Sequence, residues 1–199
     1  FRPTFRIDKN ISNKSIPLFI QAYLNIFKLT GLEKFKQEAL CLLEYLEDKS
    51  LEGHTDYCWS SYYYEFIGVK HALKPSVPDI VGTTSAINAF LLAYELTNEE
   101  KYMEIAGSAI HYLISELLEV DTYGYHFKYT PNEQEKIVFN VSALALSGLS
   151  KFLIHTNKIE LVKIINGTTA FLIKYPMNNG AWPYSLYKEK NIFYKQIDF

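Results

Sequence analysis

Two ionisable residues are the first candidates for proton transfer, His126 and Asp198. A carboxylate with a second acid or base is what cleavage of a glycosidic bond requires, and histidine exchanges protons near neutral pH. In the alternative interpretation, His126 is a hydrogen-bonded rim residue and Asp198 caps a following helix. Asp79, ahead of another helical segment, allows the same two interpretations. Capping is favoured, because the sequence offers no second matched carboxylate.

Aromatic residues make up 16% of the chain, with 16 Tyr and 13 Phe. They concentrate in residues 53–65, 123–131 and 180–185. Flat apolar rings with a polar handle suit the face of a pyranose, and they also suit a lipid. Alternatively, these rings pack one helix pair against the next. The candidates for substrate binding are Trp59, Tyr62, Tyr63, Tyr129, Trp182 and Tyr184.

A few polar residues complete the candidate site. His54, Asp56 and Cys58 alternate along the chain, but a zinc site needs a fourth ligand at a suitable spacing. We therefore predict no metal and no cofactor, and we place His54 and Asp56 at a pocket rim. Asn88 and Asn140 lie on otherwise apolar helical segments. They either face a cavity and bind substrate or bridge neighbouring helices.

An internal repeat positions these residues. Residues 22–35 return as residues 89–102, which is 67 residues later, with the shared core Leu-Thr-x-x-Glu-Lys-aromatic. A weaker third copy occurs near residues 149–158. Such self-similarity is typical of repeat architectures. Each copy predicts a helix, a short turn and a second helix.

The apolar patterns of the paired helices differ. The first helices, predicted near residues 16–29, 84–96 and 140–152, are apolar nearly all round, whereas the second helices are amphipathic. A helix that is apolar all round must be covered on every side. The pattern therefore predicts an all-α fold, an α/α toroid whose first helices form an inner ring. The aromatic segments follow the outer helices, so we expect Trp59, His126 and Trp182 to converge on one cavity, with Asp198 at its edge.

The turn motif and the aromatic Gly-x-Trp segments resemble the six-hairpin α/α toroids. These include unsaturated glucuronyl hydrolases, other glycoside hydrolases, polysaccharide lyases and epimerases, with terpene cyclases and protein prenyltransferases more distant. The chain is most similar to a toroid family found with bacterial and archaeal polysaccharide-biosynthesis enzymes. That likeness lies in Cys58-Trp59, residues 127–131, Asn140 and residues 180–182.

The resemblance implies a glycan-binding or carbohydrate-active toroid, which as an enzyme would cleave glycosidic bonds with acid and base residues at the cavity mouth. The alternatives are a toroid that handles terpenoid or prenyl groups, for which no Asp-rich motif is present, and a non-catalytic helical interaction module. Six hairpins would need about 360 residues. Residues 1–199 are thus expected to form a single domain of about three hairpins. The other hairpins would come from a longer chain or a second chain.

Composition narrows the partners further. The chain has 20 basic and 22 acidic residues, a net charge of −2, so nucleic acid is not an expected partner. No apolar run approaches the roughly 18 residues of a membrane span. Asn10, Asn13, Asn140 and Asn166 begin Asn-x-Ser/Thr sequons, but without a recognisable secretory signal we predict a cytoplasmic protein. Cys41 and Cys58 do not form a disulfide framework, and Cys41 is predicted to be a buried free thiol.

Overall fold

A computed structural model of the chain describes residues 14–62, 74–133, 135–188 and 192–194. Six α-helices form three hairpins. The helices are α1 Ser15–Thr30, α2 Glu33–Asp48, α3 Ile80–Thr97, α4 Glu100–Tyr112, α5 Phe139–Thr156 and α6 Glu160–Lys174. The predicted inner helices are confirmed as α1, α3 and α5, and α3 packs against both of the others.

The three turns within the hairpins share one geometry. Gly31, Asn98 and Asn157 each follow the first helix of a pair, with positive φ angles of 67°, 56° and 52°. Glycine and asparagine reach this left-handed conformation most easily. Each donates its backbone N–H to a carbonyl of the last helical turn, as in the 2.8 Å bond from Gly31 to Phe27. The threonine followed by glycine or asparagine, which all three copies share, therefore encodes a helix stop.

Helix α3 begins four residues earlier than the sequence pattern indicated. Asp79 precedes its first residue, and Asp79 Oδ1 accepts a 2.8 Å hydrogen bond from the backbone N–H of Gly82. This side-chain cap satisfies one of the otherwise unpaired N–H groups of the first turn. Of the two interpretations of Asp79, the structure supports capping.

The strands are short and lie in the segments that follow outer helices. The π-helical turn Leu113–Leu117 continues α4 and leads into β1 Leu118–Asp121, which pairs antiparallel with β2 Gly124–Phe127. A second antiparallel sheet has the order β3 Lys136–Val138, β4 Ser185–Tyr187, β5 Ile192–Tyr194. As predicted, the described part of the chain has no sheet beyond such loop strands.

One core runs through all three hairpins. Its largest fully buried side chains include Trp59, Tyr112, Phe90 and Phe127. A smaller cluster of Ile137, Phe139, Phe171 and Leu186 joins α6 to β3 and β4. The prediction for Cys41 was wrong: this residue of α2 is exposed, whereas Cys58 is buried.

Among the described helices, none combines the length and the apolar character that a bilayer span requires.

Candidate functional site

Two adjoining cavities form a groove along the starts of the inner helices. One, of about 470 Å³, is lined by residues that include Asn140, Leu172, Trp182 and Tyr184. The other, of about 510 Å³, is lined by residues that include Ser61, Tyr62, Tyr129, Asn140 and Tyr184. Asn140 and Tyr184 line both. Five of the predicted substrate-binding residues therefore share one groove: Tyr62, Tyr129, Asn140, Trp182 and Tyr184.

Backbone hydrogen bonds place Tyr129 and Tyr184 in equivalent positions. The N–H of Ile80, the first residue of α3, donates to the carbonyl of Tyr129 at 3.0 Å. The N–H of Phe139, the first residue of α5, donates to the carbonyl of Tyr184 at 3.2 Å. Each inner helix is thus tied at its start to the loop that follows its own hairpin. This tie brings both tyrosines to the groove.

The segment that carries Tyr62 is held on the start of α3. The backbone N–H of Asp79 donates to Trp59 O (3.0 Å), and the backbone N–H of Ser61 donates to Asp79 Oδ2 (2.5 Å). Burial raises the pKa of Asp79, while the hydrogen bonds from Gly82 and Ser61 oppose that rise. Asp79 therefore fixes both its helix and the loop beside it.

Tyr62 and Tyr129 meet at their hydroxyl groups. Their phenolic oxygens lie 3.1 Å apart, within hydrogen-bonding distance. Burial raises the pKa of Tyr129 well above its usual value of 10, and the hydrogen bond with Tyr62 adds to the rise. Tyr129 thus remains a neutral hydroxyl, able to donate and accept, across the physiological pH range.

Trp182 and Asn140 offer exposed ligand-binding groups. The Trp182 side chain is 52% exposed, and its indole N–H donates to the carbonyl of Leu172 at 2.8 Å. This bond orients the ring and leaves part of its surface open to solvent. Asn140, the second residue of α5, is exposed, and its amide forms no hydrogen bond with any residue that the structure describes. Both groups can contact a ligand without breaking a bond to any part of the chain that the structure describes.

Trp59 lies in the core instead of in the groove. It is fully buried, its indole N–H donates to Leu46 O at 2.7 Å, and its ring packs between Tyr57 and Phe90. The structure therefore does not bring Trp59 and Trp182 together at one cavity. The physical reason is that the backbone of residues 59–61 bonds to α3, which directs the indole inward.

His126 also lies away from the groove lining. It belongs to β2, is 1% exposed, and packs on the ring of Phe171. Its Nε2 is 3.0 Å from Glu119 Oε2, and its Nδ1 is 3.2 Å from the carbonyl of Gly124. Burial lowers the pKa of His126, opposed mainly by the charge of Asp121. These contacts stabilise the β1–β2 hairpin.

The segment with alternating His54, Asp56 and Cys58 faces the outer helix α4. Asp56 accepts a hydrogen bond from Ser108 Oγ (3.1 Å) and lies 2.7 Å from His111 Nδ1, while exposed His54 packs its ring edge-on against Tyr112. Burial raises the pKa of Cys58 to about 12, which opposes the thiolate form that metals bind. The structure does not bring this segment to the groove.

Asn88 bridges two inner helices. Its Nδ2 donates to Thr84 O at 2.9 Å within α3, and its Oδ1 accepts from Lys151 Nζ of α5 at 2.8 Å. The amide is therefore engaged on both sides. Each of the two interpretations therefore applies to one asparagine. Asn88 bridges neighbouring helices, and Asn140 faces the cavity.

Glu119, Asp121 and His126 bring their side-chain ligand atoms within 4.8 Å of one another. Such a cluster can hold a cation. Here Lys188 Nζ lies 2.5 Å from Glu119 Oε2 and 3.3 Å from Asp121 Oδ2. The lysine ammonium therefore already offsets one of the two carboxylate charges and joins the β1–β2 hairpin to the segment after β4.

Tyr63 and Asp198 lie outside the described residues, so their predicted roles remain predictions.

Several lining residues were not singled out from the sequence, among them Lys14, Leu18, Val81, Ser85 and Leu144. Val81 and Ser85 are the second and sixth residues of α3, and Asn140 and Leu144 hold the same places in α5. Aligning the inner helices by their starts would have identified these positions.

The comparisons with known proteins concern structure. No protein-family model matches this sequence, and no curated protein is similar enough in sequence to be matched. A cellobiose 2-epimerase from Bacillus thermoamylovorans aligns with a TM-score of 0.72 and 10% identity, over 92% of this chain and 50% of its own. The α-1,6-mannanase of glycoside hydrolase family 76 from Salegentibacter aligns with a TM-score of 0.72 and 15% identity, over 97% and 52%.

An inactive variant of that mannanase, with two consecutive aspartates replaced by alanine, was solved in complex with α-1,6-mannotetrose. It aligns with a TM-score of 0.65 and 16% identity, over 86% of this chain and 50% of its own. The chain thus spans about half the length of these structures. The fold is that of the six-hairpin α/α toroids, of which this chain forms a three-hairpin part.

Proposed function

We propose that the groove binds a carbohydrate chain and that the protein acts in the biosynthesis or processing of a polysaccharide. The observation that carries this proposal is the oriented, half-exposed indole of Trp182, which lines the same cavity as Asn140, an amide with no hydrogen bond to any described residue. An aromatic face stacks on the apolar face of a sugar, and nearby polar groups bond its hydroxyls. The sugar-processing toroids that share this fold support the same assignment.

The described lining is suited to binding more than to acid–base chemistry. Its named side chains in both cavities include no carboxylate and no histidine. Cleavage of a glycosidic bond needs such groups. If the protein is an enzyme, we assign an acid–base role to Asp198, which is one of the two candidates for proton transfer in the sequence. His126 would need to leave its contacts with Glu119 and Gly124 to take part.

We further propose that more hairpins, from a longer chain or a second chain, complete the ring. The chain spans about half of the toroids that it resembles. Apolar side chains are exposed on its first and last hairpins, such as Phe19 of α1 and Ile173 of α6. Covering such side chains in a partner is favourable. Size-exclusion chromatography with light scattering on the natural protein would distinguish a closed single chain from an assembly.

We also propose that the protein acts in the cytoplasm. Cys41 and Cys58 are both free thiols in the structure. Free thiols persist in reducing compartments. Fractionation of cells that express a tagged natural protein would test the location.

Isothermal titration calorimetry with α-1,6-mannotetrose and with cellobiose tests the carbohydrate proposal. We expect binding by the wild type and a loss of about fivefold in Trp182→Ala, the factor for roughly 1 kcal/mol of stacking. Ile154→Ala is a matched control, because Ile154 is 76% exposed and lies outside the groove lining. Binding of a prenyl diphosphate in place of sugars would favour the terpenoid alternative. If neither sugars nor a prenyl diphosphate bind, the result favours the third alternative, a non-catalytic helical interaction module.

A further inference from the structure

The two halves of the groove have unlike chemistry. The half at Trp182 is lined mainly by apolar side chains, namely Phe139, Ala143, Leu172, Trp182 and Pro183. The half at Tyr129 has apolar side chains as well, but it adds four hydroxyl groups, from Ser61, Tyr62, Ser85 and Tyr129. The hydroxyls of Ser61 and Ser85 already donate to Asp79 Oδ2 and Val81 O, so the two tyrosines are the candidates for bonding a ligand. Each half, at about 470 and 510 Å³, falls within the range of small-molecule pockets, roughly 300–1,000 Å³. One small ligand would therefore fill only one of them.

The apolar half is built for stacking. Trp182 is held by its bond to Leu172 O, so its ring does not have to be ordered when a ligand binds. Ordering a side chain on binding costs about 0.5–1.5 kcal/mol, and a preorganised ring avoids that cost. A stacked ring contacts the C–H face of a sugar and is tolerant of its hydroxyl pattern. This half would therefore contribute affinity more than selectivity.

The hydroxyl half is built for hydrogen bonding. The phenolic oxygens of Tyr62 and Tyr129 lie 3.1 Å apart, and the segment with Tyr62 is fixed to α3 through Asp79 and Ser61. Fixed hydroxyls bond only those sugar hydroxyls that point toward them. A phenolic oxygen accepts as well as donates, so the bonded pair of tyrosines can still accept a hydrogen bond from a sugar hydroxyl placed toward it. This half would set the selectivity.

Asn140 lies where the two halves of the groove meet. It lines both cavities, and its amide offers a donor and an acceptor that no described residue uses. Its place as the second residue of α5 puts it between the loops that carry Tyr129 and Tyr184. A linear ligand that spans both halves must pass this amide.

Given that the groove is the carbohydrate site proposed above, we infer that it binds at least two consecutive sugar residues in two distinct subsites. One residue stacks on Trp182, the next bonds to Tyr62 and Tyr129, and Asn140 binds at the linkage between them. The ligand class is thus an oligosaccharide or a polysaccharide chain, and a free monosaccharide occupies only one subsite.

Isothermal titration calorimetry tests this inference with two series of sugars. One series is mannose, α-1,6-mannobiose and α-1,6-mannotetrose, and the other is glucose, cellobiose and cellotetraose. In the wild type we expect the disaccharide of one series to bind at least about fivefold more tightly than its monosaccharide. Trp182→Ala should abolish this gain, and Trp182→Phe, which keeps a ring, should retain most of it. Tyr129→Phe should instead reduce the preference for one series over the other.

Stability is checked by circular dichroism and thermal unfolding of each variant, with Ile154→Ala as the folded control. Equal affinity for the monosaccharide and the disaccharide in the wild type would overturn the two-subsite inference while leaving the carbohydrate proposal standing. An undiminished gain in Trp182→Ala would also overturn it. If no sugar of either series binds, the proposed function and the inference fail together.

Discussion

Thr83 and Ser142 hold the same place in the repeat and make the same bond. Each is the fourth residue of an inner helix, α3 or α5. Thr83 Oγ1 accepts from the backbone N–H of Trp59 at 3.1 Å, and Ser142 Oγ accepts from the backbone N–H of Phe127 at 3.0 Å. In both cases a buried hydroxyl therefore holds a loop in place, and residues that come shortly afterwards in that loop line the groove.

Removing either hydroxyl should destabilise the fold. Thr83→Val and Ser142→Ala each leave a buried N–H without its acceptor, at a cost of about 1–3 kcal/mol in the free energy of unfolding. Urea denaturation measures this loss. Thr169→Val is the matched control, because the Thr169 hydroxyl is exposed and, among the described residues, bonds only to Ile165 O of its own helix. Equal stability of Thr83→Val and Thr169→Val would refute the role of the buried hydroxyl.

Gly82→Ala should destabilise the protein and disturb the loop beside α3. A Cβ at Gly82 would lie 2.8 Å from both Ser61 N and Trp59 O, and neither backbone atom can move without straining its bond to Asp79, the cap of α3. Gly148→Ala is the contrasting variant, since its Cβ would make ordinary contacts with two side-chain methyl groups, Ile87 Cγ2 at 3.5 Å and Ile110 Cδ1 at 4.0 Å. Within a helix that change should stabilise by about 0.5–1 kcal/mol. Thermal unfolding of both variants should show shifts of opposite sign.

The two tryptophans should differ in their effect on stability. Trp59→Ala removes a fully buried ring and should cost about 3–5 kcal/mol. Trp182→Ala removes a half-exposed ring and should cost much less, leaving the helical circular dichroism unchanged. Guanidinium denaturation of both variants checks the difference. A Trp59→Ala protein as stable as the wild type would show that the ring is not a core element.

Acidification should weaken the fold through His126. Because burial lowers its pKa in the folded protein, the unfolded chain takes up a proton first as the pH falls below the ordinary value of 6.5. Stability is therefore retained above 6.5 and lost as the pH falls toward the folded pKa. Glu119 and Asp121 oppose this effect, and Lys188 supports it. His126→Gln should make the melting temperature less dependent on pH between about 7.5 and 5.5; an unchanged slope would argue against this contribution.

Sugar binding by the groove should change little with pH. The named side chains of the described lining include no histidine and no carboxylate, and the pKa of Tyr129 is raised, so its hydroxyl stays neutral. Affinity for α-1,6-mannotetrose measured between about pH 5.5 and 8.5 should thus be nearly constant. Affinity that falls sharply through about pH 6.5 would indicate that a histidine or a carboxylate outside this lining contacts the ligand.

The sequence alone determined the repeat, the paired helices and their turns. Its periodic apolar pattern distinguishes inner from outer helices, and the residues at Gly31, Asn98 and Asn157 are types that adopt the left-handed turn. These features are local, since they depend on residues within one or two helical turns of each other. For that reason the hairpin order and the location of the aromatic segments could be predicted.

Only the tertiary structure decided which candidate side chains face the groove. Trp59 and Trp182 occupy similar segments, yet one is buried and the other is half exposed. Asn88 and Asn140 lie on similar helices, yet one bridges α3 to α5 and the other is open. The direction of each side chain depends on how its backbone bonds to a helix start many residues away, as Trp59 does to Thr83. Such long-range contacts form only when the chain folds, and the local sequence pattern does not encode them.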